Sequence, residues 1–224
     1  MIQEQFWLTN QIQPESSAYN IPSVFRINGL LNIAALEQGI NHVIERHESL
    51  RTTFSSEQGK LKRTIASSLT VNLRTTDISH LVEKEQPTKQ DELIHAEITQ
   101  AFNLSSGPLL RAHVLQLSRQ EFILVIVMHH IITDLKSKEL FAAELTALYN
   151  AMSMDSPLPE FDPPVQYSNY VSWQKEWSCS QNATDMLTFW RKELEEQSPL
   201  LNLPFDFPRP PMITSRGTAQ WFEL

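Results

Sequence analysis

The chain has 224 residues, 41% of them hydrophobic, with a formal charge of −8 and a pI near 5.4. That suffices for one large domain or two small ones around a proper core. The acidic balance, with no block of Lys or Arg, excludes nucleic acid as a natural partner because phosphates would be repelled. The longest apolar run, "FILVIVM" at 122–128, has about a third of the length a membrane helix needs, and the first residues lack a signal-peptide pattern. Cys179 is the only cysteine, so no internal disulfide is possible, and a soluble, cytoplasmic protein is expected. With no His or basic cluster beside it, Cys179 reads as an ordinary, partly buried thiol. The five glycines form no GxGxxG, GxxxxGK[ST] or GxSxG, which argues against dinucleotide, nucleotide and serine-hydrolase chemistry together.

In chain order, "SVFRI" alternates like a strand, and "NIAALEQGINHVIERH" follows as an amphipathic helix behind Asn32, a plausible N-cap. "LRTTF", "LKRTIA" and "TVNLRTTD" read as short strands, the first two joined by a polar turn holding Gly59. "QDELIHAEITQAFNL" gives a helix with Leu93, Ile94, Ile98 and Phe102 on one face, stopped by the turn chemistry of "SSGP". Two strands follow, "LLRAHVLQLS" and "EFILVIVMH", the second apolar on both faces and so central in its sheet. From Asp134 or Ser137 a helix runs to about Met152, with Leu140, Phe141, Leu145, Leu148 and Tyr149 inward. The Pro-rich "SPLPEFDPP" ends it. "YSNYVSWQKEW" and "ATDMLTFWRKELEEQ" are two further helices, and a second Pro-rich arm leads to "GTAQWFEL", which has the pattern of a strand. Hairpins mixed with helices predict an α/β or α+β sandwich in which helices cover a mixed sheet.

"VMHHIITDLKSKEL", residues 127–140, places two histidines and an aspartate at the end of the most apolar strand. Successive strand residues face opposite ways, so His129 and His130 do not both reach one ligand, and one of them faces the core. Asp134 lies across a tight strand-to-helix turn, placed to cap the next helix, orient the loop or pair with a buried cation. Three readings fit. His130 is a satisfied rim histidine beside an N-cap. Or His130 and Asp134 are two metal ligands, needing a third from His113 or a remote acid. Or His130 is an imidazole at a strand end, the side-chain type suited to proton handling near neutrality. A second string, "RHESLRTTF" at 46–54, holds Arg46, His47, Glu48 and Arg51 at a helix end, where charges ordinarily meet solvent and the helix dipole.

These two strings, in this order and about eighty residues apart, resemble the RHExLRTxF and MHHxxxDG patterns of the condensation domains of nonribosomal peptide synthetases. "IQEQFWL" resembles the family's opening motif, with Gln3 and Trp7 in register and Gln5 where an arginine is usual. "YSNYVSWQ" resembles YxDYAxWQ with Asn169 in place of the acid, and "LPFDFPRPP" resembles the family's LPxDxPRP linker. Nearly the whole chain is covered, but family domains are about twice this length, so the resemblance implies an N-terminal half. Residues 1–175 are expected as the N-terminal lobe, with 176–224 as a helix and Pro-rich linker towards a missing C-terminal lobe.

The resemblance implies a chloramphenicol-acetyltransferase-like fold and amide formation between a donor acyl thioester and an acceptor aminoacyl thioester. No cofactor is bound directly. Partner carrier proteins present both substrates on phosphopantetheine arms, and an adenylation domain is the expected neighbour. By position, His130 is the implied active-site imidazole, His129 its structural neighbour, and Asp134 a loop-fixing carboxylate paired with Arg51. The family's glycine after the aspartate is Leu135 here, a residue ill suited to positive φ and bulky beside the donor carbonyl. It marks either an unusual donor or weakened catalysis. Alternative functions are an acyl-CoA-type acyltransferase of the same fold and a non-catalytic carrier-docking module.

Overall fold

The computed structural model describes residues 2–195, 204 and 206–208. Two compact units divide the chain at Met1–Gln166 and Tyr167–Leu224. Pro157, Pro159, Pro163 and Pro164 lie in the segment without helix or strand ahead of residue 167.

Within the first unit the order is α1 (Ile2–Ile12), β1 (Asn20–Asn28), α2 (Ile33–Arg46), a 3-10 turn (Glu48–Arg51), β2 (Thr52–Glu57), β3 (Lys60–Ile65), β4 (Arg74–Asp77), α3 (Gln86–Thr99), β5 (Leu110–Ser118), β6 (Glu121–His129) and α4 (Leu135–Ser153). The main sheet runs β1-β6-β5-β4. β6 is antiparallel to both neighbours and β4 is parallel to β5, which makes the sheet mixed. Because β6 lies between two strands and is covered on both faces, every residue from Phe122 to His129 is buried, as its uninterrupted apolar run predicts. Pro22 sits on β1, the sheet edge, where a missing N–H costs no ladder bond.

α2 begins where Asn32 accepts the Ala35 N–H at 3.0 Å and buries Leu36, Ile40, Val43 and Ile44. α2 and α4 pack against each other, and a Cβ on Gly39 would lie 3.0 Å from Leu145 Cδ1, so the small residue sets how closely they approach. The β2–β3 hairpin turns through Gln58 and Gly59, both at positive φ, the conformation that keeps a two-residue loop in step with strand twist.

Several elements depart from the sequence reading. α1 occupies a stretch assigned no element. The strand expected over 70–77 is confined to β4, because the Asn41 side chain pairs with both backbone groups of Val71, at 2.8 and 3.0 Å, in place of a strand neighbour. α3 starts at Gln86 with Pro87 in its first turn and stops at Thr99, so Phe102 is a buried loop residue and not part of a helical face. Leu140 on α4 points outward, 46% exposed, and Cys179, expected to be partly buried, is exposed. "GTAQWFEL" and most of "LPFDFPRPP" lie outside the described residues. The second unit contributes α5 (Tyr167–Ser178) and α6 (Gln181–Leu194), with Tyr167, Tyr170, Trp173 and Trp177 forming a row of ring contacts along α5. Among the described residues no helix is long and apolar enough to cross a membrane.

α3 is fastened to the sheet by a buried acid. Glu97, 3% exposed, accepts from His113 Nδ1 at 2.9 Å, lies 3.5 Å from Arg111 Nε, and pairs with Arg74. Arg111 also donates to the Glu97 and Gln100 carbonyls and stacks over Phe102, and burial lowers its pKa to about 10. Removing Glu97 leaves Arg111, whose side chain is largely buried, without its carboxylate, whereas the Arg74 side chain is exposed, so Glu97→Ala is expected to cost about 3–5 kcal/mol through Arg111. A urea titration checks this; a loss below about 1 kcal/mol would show the network to be a surface-type pairing.

Candidate active site

β6 delivers two adjacent histidines to opposite environments. His129 is 2% exposed, pairs in register with Asn20, and sends its backbone N–H to the Leu109 carbonyl at 3.0 Å. Its ring lies edge-on to Phe102, with Tyr19 on another side. Its Nδ1 accepts the Ile131 N–H at 3.1 Å, which an imidazolium does not do, and burial, followed by the proximity of His130, lowers its pKa to about 4. His129 is therefore a neutral, structural group that helps close the turn.

His130 is half-buried. Its backbone N–H reaches the Tyr19 carbonyl at 2.8 Å, and Ile131, Ile132 and Thr133 plunge into the interior immediately after it. The chain doubles back, with Ile132 N–H bonded to the His129 carbonyl at 3.0 Å. This brings the Thr133 carbonyl to 2.7 Å from His130 Nδ1. A carbonyl only accepts, so Nδ1 carries the hydrogen and Nε2 of the neutral ring holds a lone pair. The Phe6 ring stacks on His130 at 4.9 Å between centroids and 25° between planes.

Asp134 caps α4, accepting from Ser137 N–H at 2.7 Å and Ser137 Oγ at 2.6 Å, and these bonds hold its carboxyl below the usual range. The implied Asp134–Arg51 ion pair is not formed among the described residues. Arg51 instead donates to the carbonyls of Ile44, Glu45, Ala66 and Ser67. Its fork thus satisfies two carbonyls in the last turn of α2, which lack intrahelical partners, and binds them to the loop after β3. Leu135 is the first residue of α4, with helical backbone and not positive φ, and its side chain is 74% exposed. The strain expected of a leucine there is absent.

Arg46 and His47 converge on a residue the sequence reading passed over. Glu144 of α4, 5% exposed, accepts from Arg46 Nε at 3.2 Å and His47 Nε2 at 2.9 Å. Burial alone would push its pKa up, but these two donors together hold it below the ordinary value. Gln166 bonds the Arg46 carbonyl and the Glu48 N–H, both at 3.0 Å, while Arg46 lies over Phe161. Phe6, Tyr19 and the Thr133 carbonyl also escaped the sequence reading. Only Glu144 left a trace there, as an acid between Phe141, Leu145 and Leu148 on the inward face of a helix. Among the described residues no group of three His, Cys, Asp or Glu side chains is placed to hold a metal.

Residues 1–224 match the family model described as Condensation domain. The chain belongs to the condensation-domain family. Curated relatives include a linear gramicidin synthase of Brevibacillus parabrevis, 38% identical over 96% of this chain and 3% of that protein. Phosphinothricin tripeptide synthetase PhsC of Streptomyces viridochromogenes is 32% identical over 99% of this chain and 20% of its own length. Among solved structures, the starter condensation domain of rhizomide synthetase RzmA superposes with a TM-score of 0.79 at 22% identity, covering 88% of this chain and 47% of that one. SgcC5 of Streptomyces globisporus gives 0.73 at 26% identity, over 86% and 43%. The fold is that of condensation domains, of the chloramphenicol-acetyltransferase-like kind, and the chain spans less than half the length of these solved chains.

Two measurements test the roles assigned to Asp134 and His129. Asp134→Ala removes an N-cap and is expected to cost about 1 kcal/mol; a loss of about 3–5 kcal/mol would indicate a buried ion pair after all. For His129, the unfolded imidazole takes its proton near 6.5 and the folded one near 4. Between those values the unfolded state binds more protons, so this contribution is complete above about pH 6.5 and is lost as pH falls towards 4. On account of His129, unfolding free energy is expected to drop by about 2 kcal/mol between pH 7 and pH 5. His129→Asn should show that much less pH dependence; identical slopes for both proteins would contradict the assignment.

Proposed function

We propose that this chain is the N-terminal lobe of an amide-forming condensation domain in a peptide synthetase, with His130 as its active-site imidazole. Carrier proteins supply a donor acyl thioester and an acceptor aminoacyl thioester on phosphopantetheine arms, and the protein binds no cofactor of its own. An adenylation domain in the same polypeptide loads the acceptor carrier. A cytoplasmic setting, where Cys179 stays reduced, accompanies this reading.

The observation that supports it is the state of one ring. Because His130 Nδ1–H is committed to the Thr133 carbonyl, Nε2 presents an acceptor lone pair from a half-buried position. Such an atom is suited to bind the N–H of an attacking amine. The neutral amine adds to the donor carbonyl, the C–N bond forms, and the C–S bond breaks as the tetrahedral intermediate collapses. The surplus amine proton passes through Nε2 to the departing thiolate, so protons and charge balance without an external base.

Base assistance of this kind contributes about 10² to 10⁴ in rate, whereas holding two reactants in attack geometry supplies roughly 7 to 11 kcal/mol. Positioning is the larger effect, and it needs walls on both sides of the reacting groups. On this reading residues 1–175 supply one wall and the 224-residue chain alone condenses nothing.

The test is single-turnover amide formation between two loaded carriers, in a protein that joins this chain to a second lobe. His130→Ala is expected to slow the amide-forming step by about 10² or more, with the chain alone as the inactive control. Near-normal turnover in the variant would remove His130 from the chemistry, and full activity of the chain alone would remove the need for a second wall.

A further inference from the structure

We infer that Phe6 is a positioning residue for His130: its ring holds the imidazole in the plane that keeps Nδ1–H on the Thr133 carbonyl and leaves Nε2 facing outward. This rests on the reading of His130 as the active-site imidazole, although the positioning itself is a property of the folded chain.

An imidazole held by a single hydrogen bond still pivots about that bond and swings out of plane. The Thr133 carbonyl fixes one point of the His130 ring, and the bond from the backbone N–H to the Tyr19 carbonyl fixes its root. Neither fixes the ring plane. Phe6 does, lying 25° from parallel at 4.9 Å, a stacked geometry that the aromatic quadrupole favours when the rings are offset. Phe6 is braced in turn, since Tyr19 meets it edge-on at 4.8 Å and 70°.

α1 holds Phe6 in register with the same turn. Gln3, Phe6 and Trp7 lie at i, i+3 and i+4 and so share one face of the helix. Gln3, 8% exposed, donates to the Ile131 carbonyl at 2.9 Å, and its Oε1 accepts from Arg63 at 3.4 Å. Trp7, 5% exposed, is anchored in the hydrophobic core. One helix face therefore grips the backbone one residue beyond His130 and covers the ring of His130 itself. A core-filling phenylalanine needs none of these relations, and Phe6 remains only half-buried.

The experiment reads the tautomer directly, by long-range ¹H–¹⁵N correlation of the histidine rings above pH 8, in the unaltered chain, Phe6→Leu and Phe6→Tyr. Leucine keeps most of the volume and loses the plane; tyrosine keeps both. The unaltered chain and Phe6→Tyr are expected to give a single Nδ1-protonated pattern for His130, and Phe6→Leu a mixture of tautomers. In the two-lobed protein, Phe6→Leu is expected to lower kcat about 3- to 10-fold at unchanged KM, with Phe6→Tyr restoring it.

A pure Nδ1-protonated His130 in Phe6→Leu would overturn the inference, as would a mixture already present in the unaltered chain. Should Phe6→Leu unfold, Phe6→Met takes its place with the same two outcomes. The tautomer pattern does not depend on turnover. An active His130→Ala protein would therefore remove the proposed function while leaving the positioning result standing, and an unchanged tautomer would do the reverse.

Discussion

A hydrogen bond of 2.7 Å from the His130 ring to the Thr133 carbonyl exists only because the chain reverses within three residues of the end of β6. Two isoleucines enforce the reversal by burying themselves directly after the histidine, at 3% and 5% exposure. Burying one such side chain is worth about 1.5–3 kcal/mol, enough to hold a turn against the backbone entropy it loses. Asp134 then starts α4, so the carbonyl that orients the imidazole lies between a buried strand and a capped helix and has no freedom to drift. The site is precise because the fold ends one element and begins another around it.

The same logic separates two chemically identical neighbours. Strand alternation sends His129 inward, where it accepts a backbone N–H and must stay neutral, and leaves His130 half-buried at the rim with Nδ1 bonded to the Thr133 carbonyl. The charged residues of "RHESLRTTF" support the surrounding frame. Arg46 and His47 meet Glu144, tying the end of α2 to α4, while Arg51 closes the carbonyl end of α2 onto the loop after β3. Charges that would ordinarily meet solvent at a helix end thus act here as fasteners between elements.

How much of this was legible in the sequence follows from which interactions are local. β6 announced itself because burial on both faces leaves an unbroken apolar run, and α2 because Asn32 and a periodic apolar face lie within sixteen residues. The Asp134 cap was also readable, as a polar residue just before a helical pattern. α1 was not, since its sequence is mostly polar and its place depends on side chains reaching residues more than a hundred positions away. Phe102 had helical spacing from Ile98, but the chain leaves the helix at Thr99 and the ring is claimed by Arg111 and His129. Periodicity cannot register a contact of that kind. The choice of His130 over His129 came from the family resemblance; spacing alone established only that the two face opposite ways.

The Asp134–Arg51 pair is the instructive departure, because both residues are where the resemblance puts them and still do not meet. A carboxylate that accepts two short bonds from Ser137 has little to gain from a guanidinium, and an arginine already donating to four carbonyls is held by them in place and keeps a single hydrogen uncommitted. Breaking those bonds to form the pair would expose two helix-terminal carbonyls and uncap α4, and the single ion pair gained would sit where Asp134 is solvent-exposed and weakly rewarded. Local capping wins over a long-range charge contact. The turn that carries His130 is consequently set by backbone geometry and buried isoleucines, which neither salt nor a change in distant charges readily disturbs.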